Sequence, residues 1–471
     1  MNDRSFVVDA STLDEAARRV LRDNDLGGMV KAAPALYPHQ WSWDAAFISI
    51  GLAHMSVERA LLELRNLFDA QWSTGMIPHI VFSDVPGYFP GPDVWGTTSA
   101  RAKPGGVLTS GICQPPAHAI ALARILDIAR SRGGADAVRA EAFVTEHLPK
   151  IVAWHQWLTD VRDPSGRGLI EIHHGWESGM DNSPRWDSAY AGVTVDELVE
   201  LRRHDTKVVT DLADRPSDEE YQRYLTLVGE MKSVGYDDKM IEKVVSFRVR
   251  DVFMTAVLAL AADETARMAD SLGRGDIADQ QRLLAEHARQ GVLSTLDPVT
   301  RRCRDFDEIR GTWIPAESVA SWSVALCGGD ETVRREQTAI LAGPRWAEHP
   351  SLRFKVPPSV SPDDPGFKPR TYWRGPSWPF LNWLFVWALR RHGEDALAQR
   401  WREQTLAMVA DRNFGEYYDP QTGEPAGSHA QSWTAAAIVD WLADPRTEQH
   451  AAPRPRPLRS DREPFTSRDR S

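Results

Sequence analysis

Four short stretches of this chain combine carboxylates, tryptophans and glycines in a pattern suited to acid–base chemistry on a hydroxyl-rich ligand. The first is Tyr37-Pro38-His39-Gln40-Trp41-Ser42-Trp43-Asp44. Its aromatic wall beside one carboxylate could grip a sugar's hydroxyls through charge-assisted hydrogen bonds. Asp44 reads equally well as the N-cap of the helix that follows. The second is Gly175-Trp176-Glu177-Ser178-Gly179-Met180-Asp181-Asn182-Ser183-Pro184-Arg185-Trp186-Asp187. Its glycines let the backbone approach a ligand closely, and Trp176 and Trp186 exclude water. A carboxyl desolvated there has its pKa raised, as a general acid working near neutrality requires.

The third stretch, Asn413-Phe414-Gly415-Glu416-Tyr417-Tyr418, sets a glutamate beside two tyrosines between a helix end and a turn. A base that activates water needs such a placement; a solvated glutamate opening a hairpin fits it as well. The fourth, Tyr372-Trp373-Arg374-Gly375-Pro376-Ser377-Trp378-Pro379, packs rings just ahead of a helix, and Gln431 stands at a similar helix start.

Other chemistries lack their signatures. The chain holds no GxGxxG, GxxxxGK[ST], GxSxG or HExxH pattern, which leaves dinucleotide, P-loop, serine-elbow and zincin readings without support. His173 and His174 lie beside Glu171 on an extended stretch, where adjacent rings point to opposite faces, so ordinary hydrogen-bonding histidines are expected rather than metal ligands. Cys113, Cys303 and Cys327 are odd in number and lack CxxC spacing, which argues against a disulfide framework and fits a reducing compartment. A net charge of −11 over 471 residues argues against a nucleic-acid binder. The polar N-terminus carries no signal-peptide pattern, and the longest apolar run, Phe253 to Ala262, is too short to span a bilayer. A cytoplasmic protein without a membrane partner is expected; a homodimer or homotetramer is left open. Eighteen tryptophans against nine tyrosines enrich the ring best suited to stacking on sugar faces, although a tryptophan-rich helical core accounts for the same count.

The elements that must position these stretches read as helices. Ser56 is a good N-cap for a helix with Ala60, Leu61, Leu64, Leu67 and Phe68 on one face. Pro115-Pro116 opens another, and Phe143, Ile151, Trp154 and Leu158 mark a third. Helical patterns also cover Val249–Leu260, Ile277–Leu293, Ser318–Leu326, Thr332–Leu341, Ser377–Arg391, Asp395–Ala410 and Ser432–Leu442, with Gly393 at a C-cap position. About a dozen helices with few short strands predict helical hairpins closed into a ring. Two long connections stand out: the Pro/Gly/aromatic loop Ser83–Trp95, read as a lid, and a polar insertion at 202–246 with an amphipathic helix of its own. The Pro/Arg-rich tail, 446–471, is expected to be disordered.

Taken in order, Trp41-Ser42-Trp43-Asp44, Gly175 through Ser183, Tyr372 through Pro376 and Gly415-Glu416-Tyr417-Tyr418 resemble glycoside hydrolase family 63, and within it the bacterial glucosylglycerate and mannosylglycerate hydrolase group. The likeness runs from about Tyr37 to Trp441. It implies an all-α (α/α)6 barrel over residues 1–445, an active site at one mouth, and hydrolysis of an α-glycoside with inversion, without a metal or organic cofactor. By this resemblance Asp181 matches the general acid and Glu416 the base that activates water. Tyr37, Trp41, Trp43, Asp44, Gln114, Trp176, Gly179 and Trp378 would surround the glucosyl ring, and Tyr88 would close over it. Arg215, Tyr221, Tyr372, Trp373 and Gln431 would hold glycerate. Inversion requires the two carboxyls roughly 6.5–9.5 Å apart, with water between.

The residues themselves leave Arg215 open. Ser217-Asp218-Glu219-Glu220 reads as a capping box, which puts Arg215 just before a helix N-terminus and makes it a plausible carboxylate site. The three acids already complement that helix end, and a solvated surface arginine fits too. The substrate implied is 2-O-(α-D-glucosyl)-D-glycerate; the rivals are mannosylglycerate, a neutral α-glucoside such as trehalose, and a non-catalytic glycan-binding ring.

Overall fold

The computed structural model describes residues 9–203, 205–208 and 214–443. Twelve helices, labelled here in chain order, build the ring: α1 Ala10–Asp23, α2 Ser42–Ala53, α3 Val57–Asp69, α4 His118–Arg132, α5 Gly134–Arg162, α6 Val252–Ser271, α7 Gly275–Ser294, α8 Ser323–Cys327, α9 Glu331–Leu341, α10 Pro379–Arg391, α11 Asp395–Met408 and α12 Ser432–Ala443. Even-numbered helices pack on one another in the closed order α2, α4, α6, α8, α10, α12 and back to α2. Odd-numbered helices pack outside them, α3 on α2, α5 on α4, α7 on α6, α9 on α8 and α11 on α10, and α1 closes the sixth pair against α12. This is an (α/α)6 barrel.

Side-chain pattern sorts the two layers. Every residue of α2 is buried, as is nearly every residue of α6 and of α12 up to Trp441. A helix apolar all round can only sit inside. In contrast α1 buries one stripe, Leu13, Ala16, Ala17 and Leu21, and α7 another, Ile277, Ala278, Gln281, Ala285, Ala288, Gly291 and Val292. The inner ring is pinned by one buried carboxylate. Asp440 of α12 accepts from Arg124 Nε of α4 at 2.9 Å, His54 Nε2 at the end of α2 at 2.8 Å, and Trp383 Nε1 of α10 at 2.9 Å. A fully satisfied polar network of this kind specifies one arrangement of the helices it joins.

Connection length separates the two mouths. Inner-to-outer turns are short (54–56, 133, 272–274, 328–330 and 392–394). Outer-to-inner connections are long: 24–41, 70–117, 163–251, 295–322, 342–378 and 409–431. All the long loops therefore emerge at the N-terminal ends of the inner helices, and every stretch singled out above lies on or beside one of them. Short strands stiffen these loops, among them the four-stranded antiparallel sheet of 171–172, 249–250, 306–307 and 312–313.

Several boundaries differ from expectation. The helix after Pro115-Pro116 starts at His118, because proline rings direct the preceding backbone away from helix. Val249–Arg250 is a strand, and Asp251 caps α6 by accepting from the Phe253 N–H at 2.8 Å. The pattern from Ser318 is a 3-10 turn, Val319–Trp322, before the short α8. Ser56 caps α3, Gly393 follows α10 at φ 77°, and the Ser217–Glu220 capping box forms as read. The insertion holds two longer helices, Asp218–Ser233 and Asp238–Val244, rather than one. The tail at 446–471 lies outside the described residues. All three cysteines are buried free thiols. Among the described residues no helix is long and apolar enough to cross a membrane, and no group of three or more His, Cys, Asp or Glu side chains is placed to hold a metal ion.

Candidate active site

A cavity opens where the long loops meet. Asp181 and Glu416, remote in sequence, both line it.

Asp181 is aimed by its loop. The 3-10 turn Gly175–Ser178 is held from behind by Glu177, which is fully buried and takes both terminal nitrogens of Arg162 at 2.7 Å and the His173 N–H at 2.7 Å. The Arg162 guanidinium keeps Glu177 ionised, with a pKa down to about 2. Beyond the turn, Trp186 Nε1 donates to the Met180 carbonyl at 2.9 Å, and Asn182 Oδ1 accepts from the Trp373 N–H at 2.9 Å. Gly179 is required between them: its φ is +69°, and a Cβ there would overlap the Trp43 ring. No side-chain hydrogen bond reaches the Asp181 carboxyl among the described residues. Burial raises it to about 7; Arg215 opposes the shift and Glu416 adds to it.

Glu416 has the opposite surroundings. It precedes the hairpin of 417–418 with 425–426, closed by the Asp419–Gly423 turn. Its Oε1 accepts from the Tyr37 hydroxyl at 2.8 Å and its Oε2 from the Ser428 N–H at 2.9 Å, with Arg215 Nη1 3.8 Å from Oε2. Gly427, at φ +70°, keeps the space clear, since a Cβ there would meet the Glu416 carboxylate. Two donors and a guanidinium fix the orientation of this carboxylate in the cavity wall.

Arg215 is buried, which removes the surface-arginine reading. Its Nη2 donates to the Tyr37 oxygen at 3.0 Å and its guanidinium lies 4.3 Å from the Tyr372 ring centre. Its Nη1 is buried without a hydrogen bond among the described residues. Tyr372 holds this face in a strained backbone conformation at φ 32°, and its hydroxyl is 3.5 Å from that of Tyr37.

Asp44 is not an N-cap. The helix starts at Ser42 with Trp41 as its cap, which leaves Asp44 in the first turn and lining the cavity. Burial, then the nearby Glu416 and Asp181, push its carboxyl well above the ordinary range. Tyr37, Trp41, Trp43, Tyr88, Gln114, Trp176, Gly179, Tyr221 and Tyr372 line the same cavity, and Gln114 Oε1 accepts from the Trp43 N–H at 3.3 Å.

Three residues expected at the ligand lie behind the wall instead. Trp373 and Trp378 stack on each other, centroids 3.8 Å apart and planes within 6°, and fill the core beneath Tyr372. Gln431 is fully buried and accepts from Ser428 Oγ at 2.8 Å, on the strap that holds Glu416. Conversely His79, Ile80 and Trp433 line the cavity without having been singled out, and so do Pro90 and Trp95 of the loop read as a lid. Burial holds His79 neutral, its pKa down to about 3. The loop carrying Tyr88 is fastened at its start, where the Ser83 N–H donates to His39 Nδ1 at 3.1 Å, and at its end, where the Tyr236 hydroxyl donates to the Trp95 carbonyl at 2.5 Å.

Residues 37–434 match the family model described as a mannosylglycerate hydrolase MGH1-like glycoside hydrolase domain. The chain belongs to this family. It is thus a glycoside hydrolase, in family 63. It is 50% identical over 446 residues, 94% of this chain and 99% of the relative, to a glucosylglycerate hydrolase of Mycolicibacterium hassiacum. It is 38% identical over 433 residues, 91% of this chain and 85% of the relative, to the mannosylglycerate hydrolase MGH1 of Selaginella moellendorffii. The family 63 mannosylglycerate hydrolase of Thermus thermophilus, solved with Tris and D-glycerate, superposes with a TM-score of 0.82 at 36% identity, over 91% of this chain and 99% of that one.

Proposed function

We propose that this glycoside hydrolase cleaves 2-O-(α-D-glucosyl)-D-glycerate to glucose and D-glycerate with inversion at the anomeric carbon. Asp181 is the general acid: its carboxyl, raised to about 7 by burial, carries the proton that the departing glycerate oxygen takes. Glu416 is the general base: oriented by Tyr37 and Ser428, its carboxylate deprotonates the water that attacks the anomeric carbon. Asp44, Gln114 and the rings of Trp41, Trp43 and Trp176 bind the sugar, and Arg215 with Tyr221 and Tyr372 receives the glycerate carboxylate.

The observation that carries the anionic aglycone is Arg215, a cationic side chain in the cavity lining whose Nη1 lies 3.8 Å from Glu416 Oε2 and makes no hydrogen bond among the described residues. A guanidinium nitrogen so placed needs an acceptor, and a carboxylate supplies the strongest one. The glucosyl assignment draws on the 50% identity to the M. hassiacum glucosylglycerate hydrolase. A panel of glucosylglycerate, mannosylglycerate and trehalose tests the reading. The highest kcat/KM should fall on glucosylglycerate; a preference for trehalose would overturn the anionic aglycone, and one for mannosylglycerate the sugar.

A further inference from the structure

The arginine that faces the cavity is held by a second layer of charge. Asp205 Oδ2 accepts from Arg215 Nε at 3.5 Å and from Arg203 Nη2 at 2.6 Å, and Asp205 Oδ1 accepts from Arg203 Nε at 3.1 Å. Arg203 Nη1 also reaches Asp218 Oδ1 at 2.9 Å, in the first turn of the insertion helix Asp218–Ser233. The Arg203 guanidinium lies 4.0 Å from the centre of the Tyr221 ring, close enough for a cation–π contact. Arg203 and Asp205 are buried, and neither lines the cavity. One forked ion pair thus sits behind both Arg215 and Tyr221, while other residues hold the sugar-facing wall.

We propose that Arg203 and Asp205 are positioning residues that clamp Arg215 and Tyr221 from behind, and so set the enzyme's affinity for an anionic leaving group without entering the sugar site. The argument is one of preorganisation. An arginine side chain is flexible, and a carboxylate bound to a free guanidinium must first immobilise it. Asp205 fixes the Nε edge of Arg215, which directs the Nη edge inward. The bidentate bond to Arg203 keeps Asp205 from rotating towards Arg215 and neutralising it. Asp218 ties the clamp to the capped helix that also carries Tyr221, so the two aglycone-facing side chains move as one unit.

The proposal rests on the reading that Arg215 receives the glycerate carboxylate, and the test separates the two. Inhibition of the full-length enzyme by D-glycerate probes the aglycone side, and inhibition by glucose probes the sugar side. Asp205→Asn should raise the D-glycerate inhibition constant and the KM for glucosylglycerate about tenfold, the size of one weakened charge-assisted hydrogen bond. The glucose inhibition constant and kcat should stay within about twofold. Arg203→Lys, which keeps the charge but loses the fork, should give a smaller shift in the same direction, and it carries the comparison if Asp205→Asn does not fold. Unchanged D-glycerate inhibition in the folded variants, or equal weakening of glucose and D-glycerate, overturns the clamp. If Arg215→Met leaves D-glycerate inhibition intact, the carboxylate reading itself fails, and the clamp with it.

Discussion

The state of the Asp181 proton should be visible in the pH profile. With its pKa at about 7, the carboxyl is half protonated at neutrality. At the ordinary aspartate value, only about one molecule in a thousand would be. Above pH 7 the protonated fraction falls tenfold per pH step, so kcat/KM for glucosylglycerate at pH 9 should be about 1% of its plateau. The influence of Arg215 sets a second expectation. Its positive charge lowers the Asp181 pKa, so Arg215→Met should move the alkaline limb to higher pH while weakening substrate binding. A carboxylate bound against Arg215 offsets the same charge, so the limb in kcat should lie above the limb in kcat/KM. The control is α-D-glucosyl fluoride, whose leaving group needs no proton: its alkaline limb should be absent, and Asp181→Asn should still cleave it. Steady-state rates from pH 5 to 10 on both substrates settle the matter. An identical alkaline limb for glycerate and fluoride leaving groups, or a downward shift in Arg215→Met, would refute the assignment. The same titration has a stability sign: the folded chain holds this proton more tightly than the unfolded chain, so this group's contribution declines as pH rises from about 4 to about 7.

Other expectations follow from the same geometry. Glu416→Gln should lose at least a hundredfold in kcat on both glucosylglycerate and glucosyl fluoride, because the water must be activated in either case; a variant active on the fluoride would exclude it as base. Gly179→Ala forces a Cβ into the Trp43 ring at φ +69°, and should raise the KM for substrate or cost about 1–3 kcal/mol of stability, read by glucose inhibition and thermal melting. Glu177→Ala leaves the Arg162 guanidinium buried and unpaired, and should cost about 3–5 kcal/mol, seen as a clear drop in Tm. Because Arg162 holds Glu177 at about 2, the native contribution of that pair is present above the ordinary glutamate range and is lost as pH falls towards 2.

What could be read beforehand, and what could not, divides along physical lines. Helices were legible because burial imprints a period of 3.6 on sequence, as at Ala60, Leu64, Leu67 and Phe68. Asp181 and Glu416 were legible as candidates, Asp181 from the tryptophans and glycines around it and Glu416 only once the four stretches together resembled family 63. Their meeting was not: it depends on six long loops emerging at one mouth, a property of ring closure rather than of any segment. The resemblance put Trp373 and Trp378 at the ligand, whereas the two rings stack on each other and do not line the cavity, since a ring's neighbours along the chain do not say which face meets solvent. His79, in Ile77-Pro78-His79-Ile80, carried no local signal; it faces the cavity only because the strand at Ile80–Val81 pairs with Gln40–Trp41. For Arg215, the acids Asp218, Glu219 and Glu220 argued against a carboxylate site at that helix end, whereas Asp218 is engaged by Arg203 and Glu220 by the capping box.

The measurement that bears most directly on paired acid–base catalysis is proton NMR of the sugar at the moment of its release from glucosylglycerate, before mutarotation scrambles it. Attack by a water that Glu416 activates, with Asp181 protonating the departing oxygen, yields β-glucose first and the α anomer only later. Initial release of α-glucose would mean a covalent sugar intermediate, and would contradict the roles assigned to both carboxyls.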